Sequence, residues 1–156
     1  MFIANWKMNG SQSMLVSWLK GINSLDKSLQ RKCILCPPVC FLSEASKIIE
    51  REKLSISLGA QNIDPSSTSP LTGGIDGSML KELGAEYVVI GHSERRKLFK
   101  EENPLLLEKL ESASKESLRV IFCIGESLKE KEAGKTVSVL KGQLEILNEA
   151  ELNKFI

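Results

Sequence analysis

The chain has 156 residues, of which 42% are apolar and 26% are charged, and its formal net charge is +1. These values are typical of one globular domain, and the small net charge gives no reason to expect nucleic acid or an anionic membrane as a partner. The sequence has no apolar run as long as a membrane span and no signal-peptide pattern at its start, so we expect a cytosolic protein.

The first part of the chain predicts three strands, of which the first two are followed by helices. An apolar strand over 2–8 precedes a turn and a helix that Ser11 caps. The second strand covers 33–36 and ends at two prolines, its helix runs over about 42–52, and a third strand lies near 55–61. The apolar face of the first helix carries Met14, Leu15, Trp18, Leu19, Ile22 and Leu25.

A long loop rich in Pro, Ser, Thr and Gly is predicted over 63–77. A connection of this length more often contacts a ligand or a partner than serves as a plain linker. A short helix over 78–83 then stops at Gly84, because glycine suits the position that follows a helix.

The remainder of the chain predicts two further strands with their helices. A strand over 87–90 leads, after a short segment, to a helix that Asn103 caps and a proline begins. The fifth strand covers 119–124, a charged stretch extends to Lys135, and 152–156 resembles the opening of a sixth strand. The helix after the charged stretch is expected to bury Val137, Leu140, Leu144 and Leu147.

The most informative segment is 87–96, YVVIGHSERR, because it contains the only histidine. Its β-branched start predicts a buried strand, Gly91 lets the backbone turn, and Ser93 and Glu94 suit the first turn of a helix. His92 therefore lies between a strand's carboxyl end and a helix N-terminus, where α/β proteins bind ligands. A positive helix end favours a neutral imidazole, which can polarise a carbonyl. The alternative is a histidine that is merely hydrogen-bonded at a strand end.

The spacing of Cys33 and Cys36 raises the question of a metal or redox site. Both residues lie in a predicted strand, where positions i and i+3 point to opposite faces, so the pair would chelate a metal poorly. We expect these two thiols, with those of Cys40 and Cys123, to be free and mostly buried.

The predicted strands begin near residues 2, 33, 56, 87 and 119, about the spacing of a (β/α)8 barrel, which has roughly 31 residues per unit. A five-stranded doubly wound sheet has the same order of elements, so the spacing leaves both folds open. Alternation in the first strand places Ile3, Asn5 and Lys7 on one face. A lysine and an asparagine on a buried face need a polar cavity, such as a barrel mouth. We therefore favour an incomplete TIM barrel, an α/β fold, of about five βα units.

Four segments resemble the triosephosphate isomerase family, in that family's order and spacing: ANWKMNG at 4–10, GAQN at 59–62, VVIGHSERR at 88–96 and CIGE at 123–126. The resemblance implies a glycolytic and gluconeogenic enzyme that interconverts dihydroxyacetone phosphate and glyceraldehyde 3-phosphate by proton transfer through an enediolate. We expect no cofactor and no metal. The resemblance covers all of 1–156, about three-fifths of the family's usual length, so we expect the N-terminal portion of a TIM barrel, cut near the start of strand six.

The matching motifs imply a role for each of four side chains. His92 would polarise the substrate carbonyl, and this family is itself the usual example of a neutral histidine in that role. Lys7 would place a positive charge beside the enediolate and the phosphate, and Asn5 would hold a substrate oxygen and orient Lys7. Glu94 would lie behind the site as the polar partner of the lysine. The alternatives are a solvated lysine, a turn asparagine and a glutamate that only caps a helix.

The long loop resembles the segment with which this family enters the neighbouring subunit of a homodimer. Thr72 matches a threonine that contacts the partner's strand-one asparagine, and Met8 matches a residue that the loop covers. The family usually has Thr-Gly-Glu, whereas this chain has Gly74 in place of the glutamate. The missing glutamate pairs across the interface with the arginine matching Arg95. We therefore expect a weakened homodimer in which Arg95 pairs with Glu101 instead.

In this family the general-base glutamate follows the sixth strand, and the phosphate-gripping lid comes later still. These 156 residues reach neither, so we expect little activity from the chain alone, since general-base catalysis is typically worth about 10²–10⁴-fold. Three alternatives stay open. The chain is a truncated or frame-interrupted isomerase, one half of a split isomerase that acts with a separate C-terminal chain, or a non-catalytic module that binds a phosphate ligand or a protein.

Overall fold

A sheet of five parallel strands forms the centre of the computed structural model, which describes residues 1–65 and 70–149. The strands are Phe2–Asn5 (β1), Cys33–Cys36 (β2), Ser57–Ala60 (β3), Tyr87–Ile90 (β4) and Arg119–Phe122 (β5). They are hydrogen-bonded in chain order, and every neighbouring pair is parallel. A doubly wound sheet reverses its strand order at one point, whereas a TIM barrel does not. The expected fold, an incomplete (β/α)8 barrel, is therefore confirmed.

Helices follow every strand in the described part of the chain. The first four are Gln12–Asn23 (α1), Lys27–Gln30 (α2), Leu42–Arg51 (α3) and Gly77–Glu82 (α4). The others are Ser93–Leu98 (α5), Asn103–Lys115 (α6), Leu128–Glu132 (α7), Thr136–Leu144 (α8) and Ile146–Glu149 (α9). A 3-10 turn at Val39–Phe41 precedes α3. The unpredicted helices are the short α2 and α7.

One predicted helix start is confirmed by its capping bond and another is wrong. The Ser11 hydroxyl accepts the backbone N–H of Met14 at 3.1 Å, as expected for an N-cap. Helix α6 begins at Asn103 itself, and its N-cap is Glu102, whose side chain makes no capping bond. The Asn103 amide instead donates to the carbonyl oxygen of Gly142 at 2.8 Å. This side chain therefore joins α6 to α8, which the sequence pattern does not indicate.

The first strand is shorter than predicted, and this changes the position of Lys7. Strand β1 ends at Asn5, Trp6 is buried with its ring centroid 6.2 Å from that of Trp18, and Lys7 has a φ of 53°. The predicted alternation thus holds for Ile3 and Asn5, which pair with residues of the inner face of β2, but not for Lys7. Lys7 lies in the turn that follows the strand.

The two faces of the sheet are packed differently. The outer face meets the helices in a large apolar cluster that includes Leu15, Leu42, Leu80 and Leu110. The inner face carries a smaller cluster of strand residues, Ile34, Cys36, Tyr87 and Val89, with Ile121 and Cys123 packed against it. In a complete barrel, side chains on this face fill the interior in layers.

All four cysteines are free thiols. Cys33 and Cys36 lie on opposite faces of β2, as the strand geometry predicts, because Cys36 belongs to the inner cluster and Cys33 packs against the outer one. Burial raises the pKa of Cys36 to about 12, so this thiol stays protonated. The expectation of mostly buried thiols is wrong for Cys40, which is exposed. Within the described residues, no three His, Cys, Asp or Glu side chains are grouped so as to hold a metal ion.

The charged stretch before Lys135 contains α7, and a reciprocal capping box of Ser127 and Glu130 fixes the start of this helix. The single helix predicted after it is divided into α8 and α9. The predicted opening of a sixth strand, at 152–156, lies outside the described residues. Among the helices that the structure describes, none is long and apolar enough to cross a membrane.

Candidate active site

An open cleft of about 460 Å³ lies at the carboxyl ends of β1, β3 and β4. Six predicted site residues line it: Asn5, Lys7, Met8, His92, Glu94 and Arg95. The other lining residues, which were not predicted, are Asn9, Gln61 and Leu98. Thr72 is the predicted residue that does not line the cleft, because it lies exposed on the long loop. Five barrel units thus bring most of the predicted residues to one place.

Lys7 enters the cleft through a turn with unusual backbone geometry. Its φ of 53° falls in the left-handed region, which costs a residue other than glycine about 1–2 kcal/mol. The Asn5 side chain accepts the backbone N–H of Lys7 at 2.9 Å, and the Asn9 amide donates to the carbonyl oxygen of Trp6 at 3.0 Å. These two bonds and the buried Trp6 ring hold the turn in a conformation that the lysine alone would not favour.

The Lys7 ammonium forms an ion pair across the cleft. Its Nζ atom lies 2.9 Å from Oε1 of Glu94, and both side chains are about half exposed, at 51% and 49%. The hydrogen bond from Lys7, with smaller contributions from the charges of Lys7 and His92, lowers the pKa of the Glu94 carboxyl. Glu94 is therefore ionised at neutral pH and holds the lysine against the first turn of α5.

His92 is the N-cap of α5. Its Nδ1 atom accepts the backbone N–H of Glu94 at 3.3 Å, and its side chain is 23% exposed. The same Nδ1 atom lies 3.4 Å from Oε2 of Glu94, a contact that is attractive only when the ring is protonated. In the neutral ring, an Nδ1 that accepts a hydrogen bond leaves the proton on Nε2. The Nε2–H group can then donate to a ligand in the cleft.

The side chain of Arg95 is held in place by the buried carboxylate of Glu101. Its Nε atom donates to Oε1 of Glu101 at 2.7 Å, and the guanidinium carbon lies 4.6 Å from the centre of the Phe99 ring. Glu101 is only 4% exposed, so its charge is compensated within the protein rather than by water. The Arg95–Glu101 pair expected from the sequence is present.

Three further residues support the cleft and are absent from the residues predicted above. The Gln61 amide lines the cleft and donates to the carbonyl oxygen of Cys36 at 2.9 Å. The buried Lys109 Nζ donates to Glu101 at 2.7 Å and to the side-chain oxygen of Asn62 at 2.6 Å. Burial lowers the pKa of Lys109, and Glu101 acts in the opposite direction. The motif at 59–62 could have indicated Gln61 and Asn62. The sequence gives no signal for Lys109, because a lysine in a helix is usually a charge on the protein surface.

The long loop closes on itself at its base, and its described tip at 71–73 is exposed. The backbone N–H of Asp64 donates to the carbonyl oxygen of Ile75 at 2.9 Å, and the Asp64 carboxylate accepts the N–H of Ile75 at 2.9 Å. Near the tip, Gly73 has a φ of 81°, which favours glycine. Thr72 is exposed, and Met8 beside the cleft is 97% exposed. Both side chains are accessible to another molecule.

Comparison with known proteins identifies similar chains. A family model described as triosephosphate isomerase matches residues 1–155. The chain is 40% identical over 147 residues to the triosephosphate isomerase of Buchnera aphidicola subsp. Cinara cedri, covering 93% of this chain and 58% of that protein. It is 39% identical over 142 residues to that of Alkaliphilus metalliredigens, covering 91% and 56%. The crystal structure of triosephosphate isomerase from Bartonella henselae aligns with a TM-score of 0.85 at 35% identity, covering 99% of this chain and 65% of that chain.

Proposed function

The chain belongs to the triosephosphate isomerase family, and on this basis we propose that its cleft is the electrophilic part of a site that interconverts dihydroxyacetone phosphate and glyceraldehyde 3-phosphate. The chain spans about 58% of the length of the first of the curated relatives, so the proposal concerns the whole site to which it contributes. The observation that carries it is the ion pair of Lys7 and Glu94, 87 residues apart in sequence, beside the only histidine.

His92 acts as the electrophile in this proposal. Its Nδ1 accepts the Glu94 N–H, so a neutral ring offers Nε2–H as a donor to the substrate carbonyl. A preorganised donor aimed at an oxygen that becomes negative stabilises the transition state more than the ground state. Neutral imidazole suits the task, because it polarises the carbonyl without giving up a full proton.

Lys7 supplies the positive charge that the enediolate and the phosphate need. Its ammonium group has three donors, and the structure engages one acceptor, Glu94, in the cleft. Asn5 orients Lys7 by accepting its backbone N–H, which supports the role of a positioning group for the lysine. The half-exposed ion pair leaves Lys7 accessible to an anionic substrate.

The general base is expected from outside these 156 residues. In the family it is a glutamate that follows the sixth strand, and none of the acids that line the described cleft occupies an equivalent position. These 156 residues therefore supply groups that bind and polarise the substrate, and the acceptor for the substrate proton is expected from elsewhere. A separate C-terminal chain is the proposed partner that would complete the site.

For the completed site we further propose a homodimer of the family type, in which the long loop of one copy contacts the cleft of the other. The exposure of Met8 and Thr72 supports this contact. Arg95 already pairs with Glu101 at 2.7 Å, and Gly74 has no charge to offer it, so the contact is weaker than usual. Free thiols, including the exposed Cys40, support a reducing compartment, and we propose the cytoplasm.

The proposal is tested by reassembly with a C-terminal fragment of one of the relatives named above, carrying strands six to eight. The isolated chain should give no turnover of glyceraldehyde 3-phosphate above background, and the mixture should be active in a coupled assay. His92→Gln and Lys7→Ala should each lower kcat of the mixture by about a hundredfold or more. The matched control is Lys97→Ala, an exposed lysine on α5 outside the cleft, which should retain the activity of the unmodified mixture.

Three outcomes contradict the proposal. An inactive mixture of unmodified chains would mean that these residues do not form part of such a site. Turnover by the isolated chain would place the general base within these residues. An active mixture whose rate is unchanged in both His92→Gln and Lys7→Ala would mean that neither side chain takes part in the reaction.

A further inference from the structure

Arg96, the second arginine of the segment 87–96, has no part in the roles assigned above, although its side chain makes three hydrogen bonds and contacts an aromatic ring. Its Nε atom donates to the carbonyl oxygen of Gly91 at 2.8 Å, and one terminal nitrogen donates to the carbonyl oxygen of Cys123 at 3.3 Å. The other terminal nitrogen lies 3.4 Å from the side-chain oxygen of Asn103. The guanidinium carbon is 5.6 Å from the centre of the Phe122 ring.

These bonds join four elements at the rim of the barrel. Gly91 follows β4, Cys123 follows β5, and Asn103 begins α6. Asn103 in turn donates to Gly142 in α8 at 2.8 Å. One cationic side chain therefore bonds to the ends of two adjacent strands and, through Asn103, to the start of α6 and the last turn of α8.

The peptide that leads into His92 is enclosed by this arrangement. Gly91 has a φ of 76°, and a Cβ atom added to it would lie 2.9 Å from a terminal nitrogen of Arg96 and 2.9 Å from the carbonyl oxygen of Cys123. The backbone N–H of Arg96 also donates to the carbonyl oxygen of His92 at 3.0 Å. Arg96 thus bonds both the residue before the imidazole and the imidazole-bearing residue itself.

We propose that Arg96 is a positioning residue for His92, because its guanidinium fixes the Gly91–His92 peptide against the end of β5 and so keeps Nδ1 of the imidazole on the Glu94 amide. The proposal rests on the proposed function, since it matters for catalysis only if His92 is the electrophile. The orientation itself is a property of this chain, and it can be measured without turnover.

The chemistry of the position requires arginine rather than a generic cation. The three acceptors of Arg96 lie in different directions, and a planar guanidinium presents fixed N–H groups to all of them. A lysine keeps the charge but carries all its N–H donors on one nitrogen at the end of a flexible stem, so it can satisfy only part of this set. Arg96→Lys therefore keeps the positive charge but removes the planar arrangement of N–H groups, so it tests the geometry alone.

The test uses the only histidine as a reporter. In the 156-residue chain with labelled imidazole nitrogens, a long-range ¹H–¹⁵N spectrum distinguishes an accepting Nδ1 from a free one. Arg96→Lys should move the Nδ1 signal away from the accepting position, and the Glu94 amide should exchange about tenfold faster because it loses its acceptor. The matched control is Arg51→Lys, an exposed arginine paired with Glu52, which should change neither signal.

Asn103→Ala is a milder variant that removes one acceptor of Arg96, and it should shift the Nδ1 signal in the same direction by less. A folded Arg96→Lys with both His92 and Glu94 signals at their original positions would overturn the proposal, whatever its effect on stability. If Arg96→Lys does not fold, an unshifted His92 signal in Asn103→Ala would overturn it.

The reassembled enzyme adds a second readout. There, Arg96→Lys should lower kcat by about ten- to a hundredfold with little change in KM, because a misplaced electrophile loses transition-state binding. An inactive mixture of unmodified chains would refute the proposed function and leave the orientation measurement intact. An active mixture with unmoved His92 signals in the arginine variant would refute the positioning role alone.

Discussion

Lys7 combines a strained backbone with a side chain that lines the candidate cleft. A lysine at a φ of 53° persists only where its surroundings compensate, and here the Asn5 side chain and the buried Trp6 provide that support. The strain has a geometric consequence, because a residue that continued β1 would place its side chain on the inner face of the sheet, with those of Ile3 and Asn5. The turn after Asn5 therefore determines where the ammonium group lies.

The Lys7–Glu94 pair predicts a specific dependence of stability on pH. The pKa of Glu94 is lowered in the folded chain, chiefly by the hydrogen bond from Lys7, so the folded state favours the carboxylate. The free energy that this contact contributes to folding is fully present above the pKa of the carboxyl in the unfolded chain, about 4.3. It is lost as the pH falls through the lower pKa of the carboxyl in the folded chain. Urea unfolding should therefore give Glu94→Gln a smaller free energy of unfolding than the unmodified chain at about pH 7, and the gap should close on acidification.

The matched control for this measurement is Glu111→Gln, which alters an exposed glutamate in the middle of α6. Its unfolding free energy should follow that of the unmodified chain across the pH range. A Glu94→Gln gap that stays constant down to about pH 3 would mean that the Lys7 contact does not stabilise the carboxylate.

Local sequence rules locate His92 but cannot locate the long-range bonds that support the cleft around it. A buried strand, a glycine and two helix-start residues are contiguous in sequence, so the position of the imidazole is predictable. Lys109 is different, because its partner Asn62 is 47 residues away and a lysine on a helix usually faces water. The bonds of Arg96 to Cys123 and Asn103 likewise depend on which strands become neighbours.

Strands β2 and β3 meet on the inner face at a point where only glycine fits. A Cβ atom on Gly59 would lie 2.5 Å from Sγ of Cys36 and 3.3 Å from both Ile34 and Tyr87. Gly59→Ala should therefore lower the free energy of unfolding by about 1–3 kcal/mol, measured by urea denaturation. Since Cys36 is the closest obstacle, the double variant Cys36→Ala/Gly59→Ala should be less destabilised than the sum of the two single variants. Additive effects would contradict this packing.

A glycine in α1 predicts the opposite effect of the same substitution. Gly21 lies in the helix, is exposed, and would have nothing within 4 Å of an added Cβ atom. Gly21→Ala should therefore raise the free energy of unfolding by about 0.5–1 kcal/mol, because alanine loses less backbone entropy in a helix. A loss of stability in thermal or urea unfolding would indicate that this part of α1 is not helical in solution.

Element types follow from the sequence more reliably than their ends. The pattern places β2 and β4 correctly because prolines and a glycine mark their limits, whereas the strands predicted at 2–8, 55–61 and 119–124 extend beyond the observed β1, β3 and β5. The start of α6 is misplaced because Asn103 has the composition of an N-cap but bonds to Gly142 instead. The sequence pattern does not predict helix α7, because this helix is highly charged, has no apolar stripe and begins with the capping box of Ser127 and Glu130.

Strand order, rather than spacing, decides between the two folds that the sequence leaves open. Both a doubly wound sheet and a barrel repeat strand and helix at similar intervals, and the difference lies in which strands pair. In the described residues, β1 and β5 each have one neighbour, so both present an unpaired edge. The inner cluster between them consists of strand side chains without a facing layer of helices.

These edges predict how the isolated chain associates. An unpaired strand presents rows of N–H and C=O groups to other molecules, and the edge strand β1 also exposes apolar side chains, with Phe2 62% and Ile3 44% accessible. We expect the proposed family-type contact through the loop to be weaker by comparison, because Gly74 offers no charge to Arg95. We therefore expect association through β1 and β5 to dominate.

Two variants distinguish the edge from the loop by sedimentation velocity. Ile3→Lys places a charge on the inner face of the edge strand, where natural edge strands often carry lysine, and it should shift the chain strongly toward monomer. Replacing Leu71 and Thr72 by glycine and serine at the exposed loop tip should leave the association state almost unchanged. Circular dichroism should be recorded for both variants to check that each is folded. If the loop variant became a folded monomer while Ile3→Lys still associated, the family-type interface would be the one that holds the copies together, and association through the strand edges would be refuted.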